Sequence, residues 1–227
     1  MTSRKDVKQK KEAIEKIIVE SHGSSVYFFL LSISAAVSTF GIILGSEAII
    51  IGGMLLGPFL APLMALALGF TTLSLEATLK AVINTLASII LVIFISGVLG
   101  IALDASLPIE LISSWSDFLY LYLAVALFSG AAAAFLWVRP KLSSSQAGVA
   151  VSISIIPPLC VTGLALGFYQ FDLAIQSIRV FAINVLGIVT SATIVFTLMN
   201  LTKYKDVQKK EIKEVEKEEK EKIKNLI

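Results

Sequence analysis

Two long apolar stretches, each interrupted by a pair of prolines, constrain this chain most strongly. They read GSEAIIIGGMLLGPFLAPLMALALGF at 45–70 and AGVAVSISIIPPLCVTGLALGF at 147–168. Each is long enough to cross a bilayer, which takes about 20 apolar residues. Proline removes a helical hydrogen bond, and lipid offers no water to replace it, so such breaks persist only inside protein or beside a water-filled cavity. The stretches therefore predict broken helices in the interior of a membrane protein.

Charge is concentrated at the two ends of an otherwise apolar chain. Of the 19 Lys and Arg residues, six lie in residues 1–20 and nine in residues 203–227, and the mean hydropathy of the 227 residues is +0.85. The net charge of +2 therefore describes two solvated tails and not a basic surface that would bind nucleic acid. The composition predicts an integral membrane protein with the lipid bilayer as a partner and no nucleic acid.

Six segments are apolar and long enough to be membrane spans. The predicted fold class is therefore all-α integral membrane, with six transmembrane helices of which two are broken by prolines. The predicted spans are 25–44, 48–68, 77–101, 118–138, 148–168 and 175–201. The predicted divisions are a charged N-terminal segment (1–24), two three-helix membrane units (25–104 and 105–202) and a charged helical tail (203–227).

The positions of the basic residues predict the orientation of the chain. Cytoplasmic connections retain Lys and Arg, so both Lys-rich tails are expected in the cytoplasm of a cell-membrane protein. With six crossings the connection that carries Arg139 and Lys141 is also cytoplasmic, and the connections at Glu47 and at 104–117, which lack Lys and Arg, lie outside. If the broken segments were re-entrant, the Arg139 connection would instead face out. The charge pattern favours six full crossings.

The sequence also repeats a short pattern in its two halves. The pentapeptide LALGF occurs at 66–70 and at 164–168, in each case at the end of a proline-broken span. A basic residue and then an asparagine follow in the next span, as Lys80 with Asn84 and Arg179 with Asn184. Three crossings per unit is an odd number, so the second unit would be inverted relative to the first. This predicts an inverted 3+3 repeat, an architecture typical of secondary transporters.

The segments GSEAIIIGGMLLGPFLAPL at 45–63 and AGVAVSISIIPPL at 147–159 resemble the paired signatures of a family of uncharacterised hydrophobic membrane domains, domain of unknown function 389. The resemblance covers roughly residues 25–200. It implies a hydrophobic membrane fold and leaves the function open. Many members look to carry a soluble domain ahead of this part, and no role of such a domain is expected here.

The two breaks predict where a solute would be bound. The N-terminal end of a half-helix carries partial positive charge and unpaired N–H groups, which suit an anion or a carboxylate. We expect residues 52–62 and 152–160 to face each other. The candidate binding or pathway residues are the prolines that shape the breaks, the nearby glycines, and polar side chains: Gly52, Gly53, Gly57, Pro58, Pro62, Asn84, Ser152, Ser154, Pro157, Pro158, Arg179 and Asn184.

Most of these residues also have an ordinary structural interpretation. An asparagine within a span often bonds a neighbouring helix, an arginine near a span end can anchor at the interface, and a Gly-x-x-x-Gly pair often packs helices. The charged tail has apolar residues too sparse for a strong coiled coil, so a solvated helix is its expected state. We predict a transporter or channel for a small solute or ion. The alternative is a non-transporting membrane scaffold or sensor that uses the charged tail.

Neither an enzyme nor a metal protein is expected. The chain has one histidine, His22, and one cysteine, Cys160, which are too few for a disulfide framework or a structural zinc site. No nucleophile with a base and no paired carboxylates converge, so no catalytic residue and no cofactor are predicted. A carboxylate in mid-span is also absent, so sodium coupling, if used, would rely on backbone carbonyls and hydroxyls such as Ser152 and Ser154. A homo-oligomer is expected.

Overall fold

The structure, a computed structural model, describes residues 4–104, 118–139 and 155–226. Within these ranges the chain is helical apart from short turns and contains no strand. The helices, in chain order, are α1 (Arg4–Ser21), α2 (Ser25–Ile43), α3 (Glu47–Leu56), α4 (Leu60–Thr72), α5 (Leu75–Ala102), α6 (Leu119–Val138), α7 (Ile156–Gly167), α8 (Phe171–Leu198), a 3₁₀ turn (Leu201–Tyr204) and α9 (Lys205–Leu226). The all-helical prediction is confirmed for the described residues.

Four of these helices, α2, α5, α6 and α8, are long and apolar enough to cross a membrane. A fifth crossing is available if α3 and α4 are one span, because together they pass the same test although their axes meet at 56°. The helix α7 has 12 residues and covers the second part of the predicted span 148–168. The first part, 148–154, lies outside the described residues. The chain thus has the several apolar helices of a membrane protein.

The two charged terminal helices, α1 and α9, pack against each other and against one end of the apolar bundle. The face of α1 that meets the bundle carries Ala13, Ile14, Ile17 and Ile18, all at most 7% exposed. From α9, Gln208 and Ile212 are buried at 1% and 8% exposure. We call this pair of helices the terminal layer. The tail is therefore docked on its own protein, which differs from the expected solvated helix.

Contacts with the terminal layer show which helix ends share one side of the bundle. The turn between α4 and α5 meets α9, because Thr72 Oγ1 hydrogen-bonds Gln208 Oε1 and Lys205 Nζ donates to the Leu73 carbonyl at 2.8 Å. The end of α6 meets α1, because Lys16 Nζ lies 5.7 Å from the centre of the Trp137 ring. The start of α2 and the end of α8 are covalently joined to the layer through short turns.

Hydrogen bonds and close glycine contacts give the relative directions of the long helices. Between α2 and α5, Tyr27 pairs with Ser88 and Thr39 pairs with Ser96, each at 2.8 Å, so the two helices run parallel. Between α6 and α8, Gly130 lies against Ser191, and Gly187 lies against Ala126, which again gives parallel helices. In each pair of helices, the residue numbers of the contacting positions increase in the same direction.

The two short helices α4 and α7 form the interior of the bundle. Every residue of α4 except Leu66 and Phe70 is buried, and every residue of α7 except Leu166 and Gly167 is buried. The long helices pack around them, α8 on α4 and α7, and α5 likewise on both. The helices α4 and α7 that follow the prolines are thus the most continuously buried helices of the described chain.

Candidate functional site at the helix breaks

The first break follows directly from Pro58. In a continuous helix the Met54 carbonyl would accept from the N–H of residue 58, which proline lacks. The Met54 carbonyl accepts instead from the N–H of Gly57 at 3.3 Å, and α3 ends at Leu56. The chain bends by 56° over 57–59 before α4 begins. Pro62 lies two residues after the first residue of α4, in the first turn, where a proline interrupts no intrahelical bond. Pro58 therefore ends one helix, and Pro62 is compatible with the start of the next.

Two of the candidate glycines have a packing role. A β-carbon on Gly53 would lie 2.5 Å from Ser38 Oγ, and one on Gly57 would lie 2.5 Å from Ser34 Oγ. Ser34 Oγ donates to the Gly53 carbonyl at 2.8 Å, a group near the end of α3. The pairs 38 with 53 and 34 with 57 run in opposite directions, so α2 and α3 form a close antiparallel hairpin. Small residues permit this approach.

Gly52 differs from its two neighbours in the motif. Its position is exposed, and a β-carbon there would meet nothing within 4 Å. The Gly53 and Gly57 pair thus packs helices within one chain, while Gly52 lies on the outer surface of α3. A solute-approach role for Gly52 remains a prediction.

The second pair of prolines lies at the beginning of α7. Pro157 and Pro158 are the second and third residues of this helix and are buried. The first turn of a helix has N–H groups without intrahelical partners, and proline has none to leave unpaired. The two prolines therefore let a helix begin in an apolar interior with fewer orphaned donors. They also reduce the number of N–H groups that this end could offer to an anion.

The two breaks approach each other at Gly57 and Ile156. A β-carbon on Gly57 would lie 2.9 Å from Cδ1 of Ile156, the first residue of α7. Phe59, in the first break, makes an edge-to-face contact with Phe181 of α8 at 6.1 Å between ring centres. Phe59 and Ile156 are both fully buried. Among the described residues the meeting point is apolar and closely packed.

Hydroxyl and thiol groups lie beside this meeting point, between α2, α5 and α7. The Thr39 hydroxyl donates to Ser96 Oγ at 2.8 Å, and the Cys160 thiol lies 3.8 Å from the Ala35 carbonyl. All four of these residues are fully buried. A β-carbon on Gly163, one turn beyond Cys160, would lie 2.8 Å from Ser96 Cβ, which shows how closely α5 and α7 approach. These groups give the interior a small number of polar contacts.

Asn84 lies away from the breaks, at the terminal layer. Its Nδ2 donates to the carbonyl of Ser21 at 2.9 Å, which is the last residue of α1. One turn earlier, Lys80 pairs with Glu76 at 3.0 Å and with Glu216 of α9. Asn84 thus ties α5 to the end of α1, which is the helix-bonding interpretation of this residue. Its contact with a solute stays a prediction.

The remaining candidates occupy different surroundings. Arg179 is exposed on α8, and Asn184 is buried in the same helix at 1% exposure. Ser152 and Ser154 lie outside the described residues. Lys80 is the sixth residue of α5 and Arg179 the ninth of α8, so the two basic residues do not occupy matching helix positions. The site around the breaks therefore contains the prolines, Gly53 and Gly57, and not the whole predicted set.

Sequence reasoning missed the residues that dock the terminal helices. His22 Nε2 lies 2.9 Å from Glu219 Oε2, and Asp6 pairs with both Lys10 and Arg139 at 3.0 Å. The signal that would have revealed the docking is the apolar stripe of α1, whose buried positions 14, 17 and 18 have the spacing of one helix face. The ion pairs themselves have no such signal, because both tails carry many charged residues that could pair in different ways.

Comparison with known proteins gives one family and no solved structure. The family described as domain of unknown function (DUF389) matches residues 54–190. An uncharacterised protein of Methanocaldococcus jannaschii is 30% identical over 182 residues, which are 80% of this chain and 57% of that relative. The chain thus spans a little over half the length of this relative. No solved structure matches significantly.

Proposed function

This chain belongs to the family of domain of unknown function 389, and from that premise we propose that it passes a small solute or ion through a membrane, between its two broken helices. The proposal includes six crossings in an inverted 3+3 repeat, a cell-membrane location with both termini cytoplasmic, and a homo-oligomeric assembly. It includes no enzymatic activity and no cofactor. A transporter fits somewhat better than a channel, because the described interior is closed.

Six crossings are supported by the ends that meet the terminal layer. The layer contacts the turn between α4 and α5 and the end of α6, and it is joined to the start of α2 and the end of α8. With these ends on one side, α2 leads away from the layer, the pair of α3 and α4 returns, and α5 leads away again. The chain returns through α6, α7 leads away, and α8 returns.

An inverted repeat is supported by matching elements in the two halves. The helices α5 and α8 both have 28 residues, and α4 and α7 have 13 and 12. A residue in the left-handed conformation follows each short helix: Leu73, directly after α4, at φ 52°, and Tyr169, two residues after the end of α7, at φ 59°. The next N–H in each case bonds the carbonyl five residues back, from Ser74 to Gly69 and from Gln170 to Ala165. The same helix-ending motif thus closes both short helices, and it also closes α2, where Gly45 has φ 64° and the Ser46 N–H bonds the Gly41 carbonyl.

The observation that carries the proposal is the approach of Gly57 to Ile156. A helix rises about 1.5 Å per residue, so α4 and α7 are each roughly 18 to 20 Å long. In the proposed topology α4 and α7 run to opposite faces of a hydrocarbon core about 30 Å thick. Because each is shorter than this thickness, both begin near its middle. Helices that begin near the midplane beside a break are where secondary transporters bind their solutes.

The test uses purified protein in liposomes and a panel of small anions, cations and neutral solutes. We expect flux of one class of solute, and we expect loss of most of it in the Pro157→Ala/Pro158→Ala variant, because a continuous helix would remove the break. Pro108→Ala, a proline substitution between predicted spans, is the matched control. Unchanged flux in the folded double variant would remove the broken-helix part of the proposal.

A membrane scaffold or sensor is the alternative function. It is favoured by one observation, the apolar and closely packed meeting point of the two breaks. Against it, the apolar residues of α9 are used inside this chain, since Ile212 is 8% exposed and Val207 and Val215 pack on the core. The scaffold predicts a specific partner for the charged tail and no flux for any solute in the panel.

A further inference from the structure

The tail helix α9 is held to the bundle by two different kinds of contact along its length. We propose that its second half, residues 213–219, is a salt-sensitive latch that closes over a pocket between α1 and α5, while the first half stays anchored. The proposal concerns how the terminal layer moves. It rests on the proposed function only where it links this movement to the passage of a solute.

The first half of α9 is anchored by buried contacts. Gln208, at 1% exposure, hydrogen-bonds Thr72 at the end of α4, which is 4% exposed. One turn further on, Ile212 is 8% exposed within the apolar core. Buried hydrogen bonds and buried apolar surface are little affected by salt, because ions do not reach them. This half should remain docked as ionic strength rises.

The second half of α9 reaches the bundle mainly through one ion pair and one histidine–carboxylate contact, which becomes an ion pair when the histidine is protonated. Glu216 pairs with Lys80 of α5, and Glu219 lies 2.9 Å from His22, in the turn after α1. These four side chains are 27% to 47% exposed. Val215 adds an apolar contact that is only partly buried. Charged contacts with this exposure contribute little to stability, and dissolved salt screens them.

The latch covers a pocket of about 160 Å³. Its lining includes Ile18 and His22 near the end of α1, Lys80 and Asn84 from α5, and Ile212 and Glu216 from α9. Release of Glu216 and Glu219 would open this pocket to water and would free Lys80 from one of its two carboxylate partners. Asn84 ties α5 to the end of α1, so release of the latch acts directly on the end of α5 that lies at the terminal layer.

Distances between spin labels test the latch without any measurement of flux. In a Cys160→Ala background, one pair of labels at residues 19 and 218 reports the second half of α9, and a pair at 11 and 209 reports the first half. All four positions are exposed. Raising KCl from about 0.05 M to about 0.5 M shortens the screening length several-fold. We expect the 19–218 distances to lengthen and the 11–209 distances to stay constant.

Two variants of equal charge separate the latch contacts from general charge effects. Glu216→Gln/Glu219→Gln removes the pairs with Lys80 and His22. Glu214→Gln/Glu221→Gln, the control, removes two pairs that lie within α9 itself, with Lys210 and Lys217. We expect the first variant to lower the ratio of docked to released second half by roughly two- to tenfold at low salt, and the control to change it much less.

The outcomes decide between the alternatives. Distances between 19 and 218 that do not change with salt, equal effects of the two double variants, or release of both halves together would each overturn the latch. Flux in liposomes is then measured with the same variants. A salt-dependent distance without flux of any solute would refute the proposed function and leave the latch standing, while flux with a rigid tail would do the reverse.

Discussion

Arg139, the residue after α6, has its Nη2 atom 3.0 Å from Oδ1 of Asp6 in α1. Its Nη1 atom lies 3.3 Å from Oε1 of Gln9. Arg139 therefore lies beside the N-terminal helix, on the side of the bundle that holds both terminal helices. Re-entrant broken segments would have separated Arg139 from the tails. The contact thus places Arg139 and the two terminal helices on one side of the bundle, as six crossings require; that this side is cytoplasmic stays a prediction.

This orientation predicts which positions a membrane-impermeant thiol reagent can reach. In Cys160→Ala protein within sealed vesicles, cysteines at Lys11, Lys141 and Lys210 should be labelled from one side. A cysteine at Asp104, after the 28-residue helix α5, should be labelled from the other side, because such a helix is roughly 42 Å long. Labelling of Lys141→Cys and Lys11→Cys from opposite sides would contradict six crossings.

The hairpin of α2 and α3 predicts opposite effects for two neighbouring glycines. Gly53→Ala places a methyl group 2.5 Å from Ser38 Oγ and 2.6 Å from its backbone nitrogen, so the helices must separate. We expect a loss of about 1 to 3 kcal/mol in stability. Gly52→Ala meets no atom within 4 Å, and alanine favours a helix over glycine by up to about 1 kcal/mol.

The measurement is the thermal unfolding midpoint of both variants in the same detergent. Gly53→Ala should unfold at a lower temperature than the unmodified protein, and Gly52→Ala should unfold at the same or a slightly higher temperature. Equal midpoints for the two variants would mean that the close approach of α2 and α3 does not contribute to stability.

Glu211 makes the docking of α9 dependent on pH. Burial, with smaller contributions from Glu214 and Glu15, raises the pKa of this carboxyl above its usual value. The charged form is thus disfavoured in the docked helix, so docking is strongest below the pKa of a free glutamate. It weakens as pH rises through the raised pKa. The effect is small because the side chain retains contact with water.

Glu211→Gln should therefore strengthen docking of α9 at neutral pH by about 0.2 to 0.5 kcal/mol, the usual size of a like-charge contact on a helix. Below about pH 4 the variant and the unmodified protein should be equal, because the glutamate is then protonated. Hydrogen exchange of the α9 amides measures this difference. Glu218→Gln, an exposed site on the same helix, is the control, and an equal gain at both pH values would contradict the assignment.

The apolar helices could be predicted because an apolar segment of about 20 residues has few possible structures other than a membrane helix. The predicted span 77–101 corresponds to Leu75–Ala102, and 118–138 corresponds to Leu119–Val138. The break near Pro58 follows from a missing N–H, which is a local property of the sequence. The predicted span 175–201 begins four residues after α8 does, because α8 includes Asp172, a charged residue that is favourable in the first turn of a helix.

The packing partners could not be predicted in the same way. Asn84 is a candidate because an amide within a span is unusual, but the sequence around it does not identify the Ser21 carbonyl as its partner. The contact joins residues 63 positions apart and depends on α1 folding back over the bundle. The choice between a helix contact and a solute contact thus depends on tertiary structure, which hydropathy does not encode.

Cys160, the only thiol of the chain, lies one turn after Ile156, next to the meeting point of the breaks. It is fully buried, in a helix enclosed by α2, α5 and α8. In this closed arrangement a charged thiol reagent should not label it. Under the proposed function, exposure requires a conformation in which the breaks separate, so labelling should begin when the transported solute is present.

Leu166→Cys in Cys160→Ala protein, 42% exposed on the same helix, controls for access through the lipid to an apolar reagent. Rapid labelling of Cys160 by the charged reagent without solute would mean that water already reaches the breaks at rest, as in an open channel. Absence of labelling while solute flux proceeds would place the pathway away from the start of α7.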